Sequence, residues 1–156
     1  EDIREYLKKN YRVEIGLKSA ERIKKNIGNA VKGYDNDYEE EDKLKEMEVV
    51  GRDLVTGLPK KIILQDEEVR TAIKDSLDAI VASLKRVIEK TPPELASDIS
   101  EKGIYLAGGG ALLKGMDKLI EKETGIVTKI SDDPLNCVVI GTGIVCENLE
   151  RFRNLN

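Results

Sequence analysis

The residues best placed to meet a ligand are the consecutive glycines Gly108-Gly109-Gly110, which follow directly on the apolar run Ile104-Tyr105-Leu106-Ala107. A strand can deliver the chain to a ligand. Glycines then let the backbone approach closely, because no Cβ stands in the way and a positive φ costs little. Leu112, Leu113, Met116, Leu119 and Ile120 follow at helical spacing, so a helix is expected to aim its free amides and positive dipole end at an anion. Phosphate, ribose or purine would fit such a turn. It is not a P-loop, because Met116-Asp117 stands where Lys-Ser/Thr is required, and Leu113 occupies the third glycine position of the dinucleotide fingerprint. A glycine turn also serves simply as a tight strand-to-helix corner, and from these residues alone both readings stand.

Other candidates are weaker. Glu21 and Lys24 are placed to share one spot on a helix face, but a solvated face with a weak Glu21–Lys25 pair is the simpler account. Gly141-Thr142-Gly143 lies inside an apolar helix, where each glycine costs about 1 kcal/mol relative to Ala, which predicts close packing of that helix rather than ligand contact. The chain has no His, which excludes Ser-His-Asp and Cys-His catalysis and His-based zinc sites. Cys137 and Cys146 lie in an apolar stretch and are expected to be buried, reduced thiols. Asp35, Asp37, Glu39, Glu40, Glu41 and Asp42 crowd together without glycine spacing, so Tyr34 to Lys45 reads as a solvated loop rather than a calcium site.

The elements that must position these residues can be read from hydrophobic spacing. The chain has 156 residues, 40% of them hydrophobic and 4% aromatic, so its core is aliphatic. A net charge of −4 argues against nucleic acid, and no run of about 18 apolar residues offers a membrane span. Ile3, Tyr6, Leu7 and Tyr11 predict a first helix, and Ala20, Ile23 and Ile27 a second with Ser19 as its N-cap. Met47 to Val50 and Ile62 to Leu64 predict a β-hairpin around Thr56-Gly57-Leu58-Pro59. Val69, Ile73, Leu77, Ile80, Leu84 and Val87 predict a long helix, capped by Asp66 and ended by Pro92-Pro93, with a short helix to about Ile99. Ile126 to Ile130 reads as a strand and Leu135 to about Arg153 as a last helix. The chain opens at Glu1, inside a helical pattern and without Met, which predicts a piece of something longer.

Several strings carry a resemblance. Gly51-Arg52-Asp53-Leu54-Val55-Thr56-Gly57-Leu58-Pro59-Lys60 resembles the hairpin of MreB-type bacterial actins, and Glu89 to Ile99 resembles the end of their long helix. Gly108-Gly109-Gly110-Ala111-Leu112-Leu113 resembles their second glycine loop, and Asp133-Pro134-Leu135 with Gly141-Thr142-Gly143 their closing segment. The resemblance runs in order along essentially the whole chain. The glycine loop alone also fits chaperone-type or sugar-kinase-type relatives, whereas the Gly51 to Lys60 string speaks against them.

The resemblance implies an α/β fold of the actin-like ATPase, ribonuclease H-like kind, and most of its second domain. Residues 1–17 and 101–156 would form the larger subdomain facing the nucleotide cleft, the last helix leading toward the first domain. Residues 18–100 would form the smaller outer subdomain, helical with a β-hairpin. Gly108, Gly109, Gly110 and Ala111 match the loop on the adenosine side of ATP, and Glu21, Arg22, Ile23 and Lys24 the helix that closes on adenine and ribose. The implied cofactor is ATP with Mg2+, with no catalytic or metal-binding residue in this chain. The first phosphate loop, the second phosphate hairpin, the acidic residue that positions water and the membrane-inserting segment would all precede Glu1, so the chain alone is expected not to hydrolyse ATP or touch membrane. The implied partners are further copies in a filament, the membrane adaptor RodZ and the cell-wall elongation machinery, in a cytoplasmic, membrane-associated setting that directs rod shape. The acidic Tyr34 to Lys45 stretch is longer and more charged than the family pattern. A second reading is an assembly and adaptor-docking module without ligand affinity of its own.

Overall fold

The structure is a computed structural model that describes residues 1–32 and 46–149. Helix α1 (Asp2–Tyr11) buries Ile3 and Leu7 and ends where Arg12 turns left-handed at φ 54°. Strand β1 (Val13–Glu14) leads through Gly16 into α2 (Leu17–Ile27), whose Ala20, Ile23 and Ile27 face inward. The N-cap of α2 is Gly16 rather than the expected Ser19. Extended backbone at Gly16 lets its carbonyl take the Ala20 amide at 3.1 Å, so the helix starts before the serine.

Strands β2 (Glu46–Asp53) and β3 (Pro59–Gln65) form the expected hairpin, with Val49 opposite Ile62 and Met47 opposite Leu64. Strand β1 joins the other edge of β2 antiparallel, giving the order β1-β2-β3. Gly51 is required where β1 crosses β2: an added Cβ would lie 2.3 Å from the Val13 side chain and 2.6 Å from the Glu14 carbonyl. The tip is held by Asp53, whose carboxylate accepts the amides of Val55 and Thr56 at 2.7 and 3.0 Å.

Helix α3 (Asp66–Glu89) packs on this sheet and on α1, with Val69, Ile73 and Leu77 in the shared core. Gln65, not Asp66, is its N-cap, in a capping box with Glu68. Tyr11 donates to Glu68 at one end of α1 and Ser76 donates to Asp2 at the other, so α1 and α3 run antiparallel. After Pro92, helix α4 (Pro93–Lys102) ends at Gly103 and leads to β4 (Ile104–Leu106). Helix α5 (Met116–Thr124) and strand β5 (Thr128–Ile130) follow, with β5 parallel to β4. One apolar cluster joins Leu7, Val13, Ile23, Val49, Leu64, Val69, Ile73 and Leu77 to Met116 and Ile120 of α5. Full burial of each such side chain is worth about 1.5–3 kcal/mol.

Helix α6 (Cys137–Glu147) begins two residues later than expected, and its expected end near Arg153, like the acidic stretch 34–45, lies outside the described residues. α6 is apolar on all sides, yet Val138, Val139, Ile140 and Ile144 are exposed. The expected close packing at Gly141 and Gly143 is absent among the described residues, since an added Cβ at either would meet nothing within 4 Å. The expected burial of the cysteines is likewise corrected: both are free, but Cys137 is half-buried and Cys146 exposed, because no described element covers this helix.

Candidate functional site

Strand β4 ends at Leu106, and the chain turns at Gly108 with φ +81°, a conformation that favours glycine. No regular helix follows at once, contrary to the spacing. Gly109–Leu112 form one 3-10 turn, Gly115 turns left-handed, and α5 begins only at Met116. A site here therefore relies on the turn rather than on the dipole of a long helix. The Gly108 amide is used by the Pro134 carbonyl and the Ala111 amide by the Gly108 carbonyl. Among the described residues, no backbone bond to another segment uses the amides of Gly109 or Gly110, as befits the start of a helical turn. Gly109 and Gly110 are exposed, and an added Cβ at Gly110 would meet nothing within 4 Å. Ala111 is 4% exposed and anchors the turn on the protein side.

The turn lies at the carboxyl end of β4, beside the carboxyl end of its parallel neighbour β5. That is where open parallel sheets place their ligands. The segment after β5 is tied in by the Ser131 amide, which donates to the Leu106 carbonyl at 3.0 Å, and by the Gly108–Pro134 bond.

Helix α2 reaches this region at its exit. Asn29 pairs with Lys114 in an isolated parallel bridge, and the Ala30 amide donates to the Lys114 carbonyl at 2.8 Å. The two sequence-predicted segments are thus connected through residues 28–30 and 113–115, not by direct contact of their side chains. On α2, Glu21 and Lys24 form an ion pair at 2.9 Å, in place of the expected Glu21–Lys25 pair. The hydrogen bond from Lys24 holds the Glu21 carboxyl below its ordinary range, so at neutral pH Glu21 is an acceptor only. Arg22 is exposed, whereas Ile23 is 1% exposed and packs in the core. Glu21, Arg22 and Lys24 thus remain candidates on this helix, whereas Ile23 is packed away in the core.

Among the described residues no group of three or more His, Cys, Asp and Glu could hold a metal ion. No described helix is long and apolar enough to cross a membrane. Sequence reasoning did not place the segment Ser131 to Leu135 beside the glycine turn, where the Ser131–Leu106 and Gly108–Pro134 bonds hold it. The sequence marked it through Asp133-Pro134, which reads as a helix start, and through the resemblance of Asp133-Pro134-Leu135 to a closing segment.

Known proteins give this geometry a context. The chain is 43% identical over 150 residues to the cell shape-determining protein MreB of Escherichia coli, covering 96% of this chain and 41% of that protein. It is 41% identical over 151 residues to the cell shape-determining protein Mbl of Bacillus cereus, covering 97% of this chain and 43% of that protein. The chain thus spans about two fifths of the length of these relatives. The crystal structure of MreB5 of Spiroplasma citri bound to ADP superposes with a TM-score of 0.86 at 39% identity, over 99% of this chain and 45% of that one. The MamK double helical filament shares the fold, at a TM-score of 0.64 and 16% identity over 85% of this chain and 39% of that one. The MreB/Mbl protein family matches residues 1–154. By the family match and by these relatives, the chain belongs to the MreB/Mbl family of cell shape-determining proteins.

Proposed function

We propose that this chain supplies the adenosine-facing half of an ATP site in a filament-forming bacterial actin that directs rod shape. The observation that carries the reading is the open Gly108–Gly110 turn at the carboxyl end of β4, tied through Lys114 and Ala30 to the helix bearing Glu21 and Lys24. Similar MreB5 structures contain ADP or AMPPNP, which supports an adenine nucleotide as the ligand. The amides of Gly109 and Gly110 would donate to the nucleotide. The ionised Glu21 would accept from a ribose hydroxyl, and the Lys24 stem would pack beside the base while its ammonium stays wet. In the proposed division, 1–17 and 101–156 form the larger cleft-facing subdomain and 18–100 the outer one.

Titration of magnesium-ATP into isotope-labelled chain tests this. The amides of Gly108 to Ala111 and of Glu21 to Lys24 are expected to shift together and saturate. A folded spectrum with neither segment moving at millimolar nucleotide would sink the reading.

A second reading, an assembly and adaptor-docking surface, rests on a different observation. Leu54, Val55 and Leu58 are exposed at the hairpin tip, and α6 exposes apolar side chains on all sides. Such patches mark protein interfaces. The MamK filament shows that the fold is compatible with polymerisation. Both readings hold together if nucleotide binding biases assembly through a difference in affinity between two shapes.

A further inference from the structure

Leu135 is 61% exposed, although its neighbours fix it firmly. On one side the Pro134 carbonyl accepts the Gly108 amide at 2.5 Å. On the other, Asp133 binds the next turn: its carbonyl takes the Cys137 amide at 2.9 Å, and its carboxylate takes the Asn136 side-chain amide at 3.0 Å. Leu135 therefore stands as a preorganised apolar side chain between two polar anchors. Its Cδ2 lies 3.8 Å from where a Gly109 Cβ would be, which places its methyl groups over the glycine turn. Nothing lies within 4 Å of an added Cβ at Gly108 or Gly110, so the space beside Leu135 is open. The nearby Ser131 hydroxyl is buried without a hydrogen-bond partner, so the segment after β5 also carries an unused polar group at the same end of the sheet.

We infer that Leu135 is a specificity-determining residue of the nucleotide site, laying its methyl groups against the flat face of the base while the glycine turn holds the sugar-phosphate side. This rests on the nucleotide-binding reading above and extends it to a segment outside both predicted site strings. An aliphatic side chain gains from the apolar area of a ring and nothing from a phosphate. It therefore favours a large base over a small one and contributes nothing to an inorganic polyphosphate. The chemical class selected is a purine nucleotide.

The test compares the whole chain with Leu135→Ala and Leu135→Met, following the Gly108 to Ala111 amides. The probes are magnesium-ATP, magnesium-CTP and magnesium tripolyphosphate. Leu135→Ala is expected to weaken ATP about fivefold to tenfold, to narrow the preference for ATP over CTP, and to leave tripolyphosphate unchanged. Leu135→Met, which restores apolar area, is expected to recover most of the ATP affinity. If the unmodified chain binds ATP and Leu135→Ala binds it within twofold, the inference fails while the nucleotide reading stands. If tripolyphosphate weakens in parallel with ATP, Leu135 merely shapes the turn, and the inference fails again. If the unmodified chain binds no nucleotide, both readings fall together.

Discussion

The amide of Ala30, just beyond α2, donates to the carbonyl of Lys114, just beyond the glycine turn, at 2.8 Å. The contact spans more than half of the chain and links the two segments proposed to hold a nucleotide. Asn29 supports it from a buried position, its side-chain oxygen accepting the Val31 amide at 2.9 Å. Replacing Asn29 with Ala is expected to cost about 1 kcal/mol in urea unfolding, because the half-buried Val31 amide loses its acceptor. The same variant is expected to separate the nucleotide-induced shifts of Glu21–Lys24 from those of Gly108–Ala111. Unchanged stability and undiminished coupling would show that the bridge joins nothing of consequence.

The hairpin register makes a sharp contrast between neighbours. Leu64 is 1% exposed and Ile63 is 59% exposed, as alternation across a half-buried strand requires. Leu64→Ala is expected to destabilise by about 2–5 kcal/mol, and Ile63→Ala by less than about 0.5 kcal/mol. Equal losses in chemical denaturation would mean that β3 is paired one residue out of register.

Glu68 joins three groups. It accepts from Tyr11 at 2.5 Å and from Tyr6 at 3.4 Å, and it closes the capping box by accepting the Gln65 amide at 3.0 Å. The hydrogen bond to Glu68, with burial, pushes the Tyr11 phenol up to about 12. A raised pKa favours the protonated form in the folded chain, so this contribution is fully present below the ordinary value of 10.0 and is lost as pH rises through about 12. Glu68→Ala should bring the Tyr11 titration, read by ultraviolet difference absorbance, back toward 10 and cost about 1–3 kcal/mol. A phenol that still titrates near 12 would exclude Glu68 as the cause.

At the acid end, the amides of Thr56 and Val55, with Lys60, lower the Asp53 carboxyl to about 2. A depressed pKa stabilises the ionised form, so the tip is expected to be fully held above the ordinary value of 3.8 and to loosen as pH falls through about 2. Amide shifts of Val55 and Thr56 report this directly. A midpoint near 4 would show that the side chain does not cap the turn.

Helix α6 yields an opposite kind of prediction. Because an added Cβ at Gly141 meets nothing within 4 Å, Gly141→Ala should stabilise the helix in this chain by about 0.5–1 kcal/mol. Slower amide exchange across Val138 to Val145 is the expected readout. Faster exchange would reveal a covering element pressed against the glycine.

Much of this was present in the sequence. The stripes through Ile3 and Leu7, through Ala20, Ile23 and Ile27, and from Val69 to Leu77 had periods that only a helix can bury on one side, and all became core. Gly108 stood out because a left-handed turn after a strand demands glycine. Local spacing could not say where each helix begins: α2 starts at Leu17 and α5 at Met116, because extended or left-handed backbone at the N-caps Gly16 and Gly115 sets the first hydrogen bond. Nor could it distinguish an apolar helix that is covered from one that is not: Gly141 and Gly143 pointed to close packing, yet Val138, Val139 and Ile140 beside them are exposed among the described residues. The chain's own chemistry nominated the Gly108–Gly110 turn and the helix bearing Glu21 and Lys24 as candidates. Tertiary structure alone decided that Ala30 reaches Lys114 and that Leu135 overhangs Gly109, because both approaches join segments whose separation along the chain carries no periodic signal.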